Sequence, residues 1–197
     1  MGALYYEMKL NQSISHLELI SHSPEQTQRL GVSIGKLALP GDIYLLVGAL
    51  GTGKTCLTQG IAWGLGIEEY AFSPSFVIVR EHYGRLPLYH IDLYRLDHIE
   101  EIADLGLDDY LYGNGVCVVE WAEKGLSVLP LEYLLIQISY LSDTERSFQL
   151  KANGKRYREI LGQVSDLSLN SLRAKIANAT GNRYLNKYRW HCSGSRQ

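Results

Sequence analysis

The sequence predicts an α/β fold, a mainly parallel sheet flanked by helices. Three observations lead to this prediction. Apolar, β-rich runs alternate with segments of helical periodicity over the first 150 residues. One such run, residues 43–47, leads directly into a glycine-rich loop and then into a helical pattern. That run is apolar throughout, as in parallel strands that are buried on both faces of a sheet.

Length and composition fit one globular domain. The chain has 197 residues, of which 46% are hydrophobic and 20% charged, so it is long enough to bury a sizeable core. No apolar stretch reaches the roughly 18 residues of a membrane span, and the N-terminus lacks a basic-then-apolar signal pattern. We therefore expect a cytoplasmic protein without membrane contact. The three cysteines lack C-x-x-C spacing, which predicts neither a disulfide framework nor a zinc site.

Charge divides the chain into two parts. Residues 1–150 hold 9 Lys and Arg against 19 Asp and Glu, whereas residues 151–197 hold 10 against 2. From Tyr157 onward the apolar residues also recur at helical spacing. The sequence therefore predicts a domain over residues 1–155 and a basic, helical C-terminal extension over residues 156–197.

The first predicted elements are a strand and a helix. Residues 15–20 alternate weakly between polar and apolar side chains, which is typical of a strand. Ser23, Pro24 and Gln26 match an N-cap, a proline at the first helical position and a capping-box partner. The helix that they begin ends before a Pro-Gly-Asp turn at residues 40–42. Its predicted apolar face contains Leu30, Ile34 and Leu37.

The remaining elements follow the glycine-rich loop. The helical pattern after the loop ends near Gly64 and Gly66. Two extended runs, 76–83 and 86–92, are separated by Gly84-Arg85 and predict a hairpin. A short helix is expected around residues 99–105. Further strands are predicted over residues 116–121, 133–140 and 147–152.

The glycine-rich loop carries the strongest chemical signal. Residues 48–55, Gly-Ala-Leu-Gly-Thr-Gly-Lys-Thr, fit the phosphate-binding pattern G-x-x-x-x-G-K-[ST]. Its glycines allow consecutive N–H groups to surround a polyphosphate, and the helix N-terminus attracts anions. Lys54 supplies a positive charge for the β- and γ-phosphates, and the Thr55 hydroxyl is placed to ligate Mg²⁺. The fold is thus predicted to be that of a P-loop NTPase. The predicted nucleotide-binding residues are Leu50, Gly51, Thr52, Gly53, Lys54, Thr55 and Cys56.

Two acids at predicted strand ends are the candidates for the metal and for hydrolysis. Glu120 ends the apolar run 116–120, as in a Walker B strand, and Asp92 ends another run. Either acid has an alternative role, capping a helix or pairing with an arginine. His90 and Trp121 are expected to be packing residues. Arg95 either neutralises phosphate or pairs with Asp92 or Asp97.

A further candidate segment lies between the helix that follows the glycine-rich loop and the next predicted strand. It consists of Ser73, Pro74, Ser75 and Phe76. Many P-loop hydrolases place a loop here that senses the γ-phosphate through a hydroxyl on Mg²⁺. A turn that enters a strand explains the tetrapeptide equally well.

Taken together, these motifs resemble those of one family. Residues 48–55, 73–76, 90–96 (HIDLYRL) and 119–123 (VEWAE), in this order and at this spacing, are similar to the bacterial TsaE (YjeE) family of small P-loop ATPases. The resemblance extends over roughly residues 15–150. It implies an ATPase needed to form N6-threonylcarbamoyladenosine in tRNA, acting with TsaD-like and TsaB-like proteins.

The resemblance also implies roles for the site residues. Thr55 and Glu120 would bind Mg²⁺, Asp92 would serve the metal and the attacking water, and Lys54 would hold the phosphates of ATP. Residues 73–76 would act as the nucleotide-sensing switch. The family usually has Asp and Thr where this chain has Ala49 and Ser75; serine keeps the hydroxyl, whereas the acid is lost at position 49.

Other functions stay open on the residues alone. A small-molecule kinase of the P-loop class would need an Arg-rich lid, and no such insert appears between the predicted strands. A GTPase would need an N-K-x-D signature, which the chain lacks. A nucleotide-gated binding module is a further alternative.

The C-terminal extension interleaves basic and aromatic residues, as in Arg183-Tyr184 and residues 187–190. This composition suits contact with tRNA or with an acidic partner. The alternative is that the extension folds back on the acidic domain.

Overall fold

The protein is built on one seven-stranded sheet. A computed structural model describes residues 14–70 and 78–174, with the backbone alone for residues 168–174. The strands are β1 (His16–Ser21), β2 (Ile43–Val47), β3 (Val79–Tyr83), β4 (Pro87–Asp92), β5 (Val116–Glu120), β6 (Tyr133–Tyr140) and β7 (Arg146–Asn153). The helices are α1 (Pro24–Leu37), α2 (Lys54–Gly64), α3 (Ile99–Ala103), α4 (Asp108–Leu111) and α5 (Lys155–Ala174), with a 3-10 turn at Ala122–Lys124.

The strand order is β1-β7-β6-β2-β5-β4-β3. The four central strands, β6, β2, β5 and β4, pair in parallel, which confirms the predicted α/β fold. The outer pairings, β1 with β7, β6 with β7 and β3 with β4, are antiparallel. The sheet is therefore mixed. The short connections between β3 and β4 and between β6 and β7 allow only hairpins, whereas β1 reaches β7 from the opposite end of the domain sequence.

The predicted start of α1 is present with one difference in its capping. Ser23 adopts an extended conformation and its hydroxyl oxygen accepts the N–H of Gln26 at 3.3 Å. The Gln26 side chain reaches back to the N–H of His22, at 2.9 Å, rather than to that of Ser23 itself. The hydrogen bonds still satisfy donors at the helix N-terminus. Helix α4 was not predicted, since four residues are too short to show a helical period.

Both faces of the sheet are covered by apolar side chains. Helices α1, α2 and α5 pack on one face, where the core includes Tyr44, Leu57 and Phe148. Ile43 and Leu45 point to the other face, beneath α3, α4 and the loop after β5. Since successive residues of a strand point to opposite faces, the continuous apolar run of β2 is buried on both sides.

The first half of α5 belongs to the core. Tyr157, Ile160, Leu161 and Val164 are buried in it. Arg156 forms a two-point ion pair with the buried Asp42, with N–O distances of 3.0 and 2.8 Å. The Tyr157 hydroxyl oxygen accepts the N–H of Ile43, the first residue of β2, at 2.8 Å. None of the helices described here is both long and apolar enough to cross a membrane.

Helices α1 and α2 approach each other along glycines. Gly31 and Gly35 on α1 face Gly60 and Gly64 on α2. A Cβ atom on Gly35 would collide with the Ile61 carbonyl oxygen of α2 and lie 3.0 Å from the Gly64 Cα. Glycine is therefore required for this close backbone contact, which holds α2 in place behind the loop that precedes it.

We predict that Gly35→Ala lowers the free energy of unfolding by about 1–3 kcal/mol, since the added methyl group forces the two helices apart. Gly162→Ala is the matched control, because nothing lies within 4 Å of a Cβ at this position of α5. Removing a helical glycine there is expected to stabilise the protein by up to about 1 kcal/mol. Urea denaturation of both variants checks the prediction, and equal stability of Gly35→Ala and the wild type would contradict it.

Candidate nucleotide and magnesium site

The loop of residues 48–53 joins the carboxyl end of β2 to the N-terminus of α2. Gly51 and Gly53 have φ angles of 75° and 101°, in the region that favours glycine. The Thr52 side chain is buried and its hydroxyl donates to the Ala49 carbonyl oxygen at 2.9 Å. The loop thus has the strand-to-helix setting and the internal hydrogen bonds of a phosphate-binding loop.

Lys54 lies across the loop. Its Nζ donates to the carbonyl oxygens of Gly48 at 2.6 Å and Ala49 at 3.0 Å. It also lies 3.8 Å from the centre of the Trp121 ring, a cation–π contact. Burial lowers the pKa of the Lys54 ammonium group, although the charges of Glu120, Glu123 and Asp92 act to raise it. The predicted phosphate ligand is therefore close to the predicted acids.

Trp121, which was expected only to pack, also contacts the Lys54 ammonium group. Its backbone is left-handed, with φ 59° and ψ 37°, a conformation that costs a residue with a side chain about 1–3 kcal/mol. The ring contacts Tyr94, with 4.9 Å between ring centres, and supports the Lys54 cation. The strained backbone therefore places an aromatic ring directly below the charged end of Lys54.

The two predicted acids meet at the carboxyl edge of the sheet. Asp92 ends β4 and Glu120 ends β5, and the two residues pair in register. Their exposed fractions are 5% and 2%. One Asp92 carboxylate oxygen accepts the N–H of Tyr94 at 2.9 Å. The structure thus brings together the two residues that were selected from the ends of separate apolar runs.

Glu120 is held from three sides. Its Oε2 accepts the Thr55 hydroxyl at 3.0 Å. Its Oε1 accepts the Thr58 hydroxyl at 3.2 Å and lies 2.8 Å from Nε2 of His90. A buried carboxylate needs such partners, because burial of an unpaired charge is costly. The hydrogen bond from Thr55 links the helix after the loop to the neighbouring strand.

The oxygen atoms at this edge suit magnesium. Mg²⁺ prefers oxygen ligands and usually takes one or two carboxylates together with substrate phosphates and water. Thr55 and Glu120 supply a hydroxyl and a carboxylate 3.0 Å apart. Within residues 14–70 and 78–174, no three His, Cys, Asp or Glu side chains form a metal site by themselves. A magnesium ion here would therefore depend on the phosphates for further ligands.

The hairpin between β6 and β7 contacts the other side of the loop. Arg146 Nε donates to the Thr52 carbonyl oxygen at 3.0 Å, and its guanidinium carbon lies 4.2 Å from the centre of the Tyr140 ring. The Tyr140 hydroxyl donates to the Leu50 carbonyl oxygen at 3.4 Å. A cleft of about 470 Å³ lies beside this contact, between β6, Glu123 and the loop. No sequence pattern indicated these residues, because their approach to the loop is set by the tertiary fold.

The other predicted site residues are placed as follows. Leu50 is at the exposed tip of the loop. Cys56 is buried in the first turn of α2, with its Sγ 3.6 Å from the Pro24 carbonyl oxygen of α1. The predicted switch, Ser73, Pro74, Ser75 and Phe76, lies outside the described residues.

His90 and Thr58 are site residues that sequence reasoning missed. Both had a usable signal. His90 precedes Asp92 by two residues in the same strand, so both side chains point to one face of the sheet. Thr58 follows Lys54 by four residues, so it lies one helical turn further along the same side of α2.

Two curated relatives of this chain carry the same name. A protein of Treponema pallidum (strain Nichols) named tRNA threonylcarbamoyladenosine biosynthesis protein TsaE is 42% identical over 130 residues, covering 66% of this chain and 96% of the relative. A protein of the same name from Bacillus subtilis (strain 168) is 44% identical over 144 residues, covering 73% of this chain and 90% of the relative.

The fold is also similar to that of a solved structure. The crystal structure of Bacillus subtilis YdiB aligns with a TM-score of 0.69 at 40% identity, covering 78% of this chain and 96% of that one. The family model described as threonylcarbamoyl adenosine biosynthesis protein TsaE matches residues 21–148, a range that contains the loop, both acids and strand β6. The chain therefore belongs to the TsaE family.

Proposed function

We propose that this chain is a magnesium-dependent ATPase that acts in the formation of N6-threonylcarbamoyladenosine in tRNA. The main support is the hydrogen bond from Thr55 in the first turn of α2 to the buried Glu120 at the end of β5. This pair joins a phosphate-binding loop to an acid of the Walker B type. The names of the relatives supply the pathway.

ATP is proposed to bind with its phosphates inside the loop. The backbone N–H groups of residues 50–56 and the N-terminus of α2 would face the anionic oxygens. Lys54 would exchange its two loop carbonyl partners for phosphate oxygens. The Trp121 ring would keep the ammonium group in place during that exchange.

Hydrolysis is proposed to depend on the two acids. Mg²⁺, held by Thr55 and Glu120, would neutralise charge on the β- and γ-phosphates. Asp92, at the adjacent strand end, would orient the attacking water and support the metal. Residues 73–76 would sense the γ-phosphate as the switch, with the Ser75 hydroxyl in place of the threonine that is usual in the family.

The partners are proposed from the family. TsaD-like and TsaB-like proteins would transfer the threonylcarbamoyl group in the cytoplasm, and the ATP cycle of this chain would support their turnover. The C-terminal residues 175–197 would contact the tRNA. They hold five Lys and Arg and no Asp or Glu, together with Tyr184, Tyr188 and Trp190. This combination provides phosphate contacts and base stacking.

We predict that Lys54→Ala weakens ATP binding by about 100-fold or more, since a buried charge partner of the phosphates is lost. Glu120→Ala is expected to keep binding within a few-fold and to reduce hydrolysis by about 100-fold or more. Calorimetry with ATP and Mg²⁺, followed by phosphate release under multiple turnover, measures both. Equal hydrolysis by Glu120→Ala and the wild type would show that another acid serves the reaction.

We also predict that a TsaD–TsaB type complex increases phosphate release by this chain, because the proposed ATP cycle serves that complex. The measurement compares the chain alone, the chain with the complex, and Lys54→Ala with the complex as the control for contaminating ATPases. Transfer of phosphate to a metabolite would instead favour a small-molecule kinase. Release that the complex leaves unchanged would favour a nucleotide-gated binding module.

Deletion of residues 175–197 is expected to weaken tRNA binding about 10-fold at low salt, with the difference shrinking as salt rises. Deletion from residue 156 is unsuitable, because it removes the core residues Tyr157, Ile160 and Leu161. Replacement of Arg183, Lys187 and Arg189 by Gln keeps the length of the chain and should reproduce most of the loss. Filter binding that is unchanged at both salt concentrations would rule out the tRNA contact.

A further inference from the structure

We propose that His90 is a positioning residue for Glu120. It holds one oxygen of this carboxylate so that the other oxygen faces Thr55 and the metal. Thr58 assists by donating to the same oxygen as His90. The inference rests on the proposed nucleotide and magnesium site, and it assigns a task to a histidine that sequence patterns suggested only for packing.

The two carboxylate oxygens of Glu120 have different hydrogen-bond partners. Oε1 receives Nε2 of His90 at 2.8 Å and the hydroxyl of Thr58 at 3.2 Å. The Thr58 hydroxyl shares its one proton with the Lys54 carbonyl oxygen, 3.1 Å away, so His90 is the stronger donor to Oε1. Oε2 receives the hydroxyl of Thr55 at 3.0 Å, and Thr55 is the residue that follows the P-loop lysine. Thus β4 and α2 hold one oxygen, and only the other faces the candidate metal ligand.

This restraint matters because glutamate is a flexible ligand. It has one more rotatable bond than aspartate, the acid that P-loop NTPases commonly use at the end of this strand. A free glutamate side chain loses appreciable entropy when it is fixed in one conformation. Donors on a strand and a helix, both buried in the core, restrict that freedom before metal or nucleotide binds.

The environment of His90 indicates that its side chain serves to hydrogen-bond Glu120. The imidazole is completely buried. A carboxylate accepts hydrogen bonds, so the ring donates from Nε2–H. Its Nδ1 has no hydrogen-bond partner among the residues that the structure describes. The ring is therefore kept in place by packing, and its one polar contact in this part of the chain points at the acid.

Two substitutions of His90 distinguish a role in packing from a role in positioning Glu120. Leucine fills much of the buried volume but donates no hydrogen bond. The amide nitrogen of glutamine reaches a position similar to that of histidine Nε2 and still donates. If His90 only packs, His90→Leu should be the milder change. If His90 positions Glu120, His90→Gln should be the milder change.

The test measures Mn²⁺ binding by electron paramagnetic resonance, with full-length protein and a non-hydrolysable ATP analogue. We expect His90→Leu to weaken Mn²⁺ binding about 10–100-fold, as loss of groups that orient metal ligands typically does. His90→Gln should stay within about 3-fold of the wild type. Nucleotide affinity in excess EDTA should stay within about 2-fold for both variants, because the hydrogen bond of His90 is to Glu120 and not to the loop.

Thr58→Val keeps the test informative if His90→Leu does not fold. This isosteric change removes the second donor to Oε1, and we expect it to weaken Mn²⁺ binding about 3–10-fold. Wild-type Mn²⁺ affinity in folded His90→Leu, or in Thr58→Val, would overturn the inference, as would equal losses in folded His90→Gln and His90→Leu. Absence of Mn²⁺–nucleotide binding by the wild type would instead overturn the proposed function, and the inference with it.

Discussion

The hydrogen bond between Thr55 and Glu120 is the contact on which the site depends. It connects the first turn of α2 to the end of β5, two elements that are 65 residues apart in the chain. A carboxylate that is 2% exposed tolerates burial only with partners, and here all three donors come from elements that are themselves fixed in the core. The geometry of the proposed metal ligands is thus a property of the folded sheet and of the helix packed on it.

The position of α2 in turn depends on its packing against α1. The glycine contact lets the two helix backbones touch, so α2 has little freedom to shift or rotate. On the opposite side of the loop, Arg146 and Tyr140 bond to the carbonyl groups of Thr52 and Leu50. The loop backbone is therefore held at its helical end and along its outer side, so that in the proposed binding of phosphate the Lys54 side chain is the part that changes partners.

Local signals in the sequence were sufficient for much of this arrangement. The loop pattern, the buried run of β2 and the acids at the ends of β4 and β5 all lie within short segments, and parallel strands bring such ends to one edge of a sheet. The contacts of Trp121 and Arg146 were not predictable in the same way. They depend on strand order and on a hairpin that reaches the loop, which are properties of the tertiary structure. The antiparallel pairings of β3 with β4 and of β6 with β7 follow from short connections that could be seen in the sequence. The pairing of β1 with β7 and the position of each hairpin in the sheet could not be seen there.

The outer strands have a consequence for the behaviour of the protein at high concentration. Within residues 14–70 and 78–174, strands β1 and β3 are the outer strands of the sheet, and the backbone of an outer strand can recruit strands from other molecules. Charged or polar side chains lie along both, Glu18 on one and Arg80 and Glu81 on the other. Desolvating these groups would oppose edge-to-edge pairing of two sheets, so the side chains of the outer strands themselves discourage aggregation.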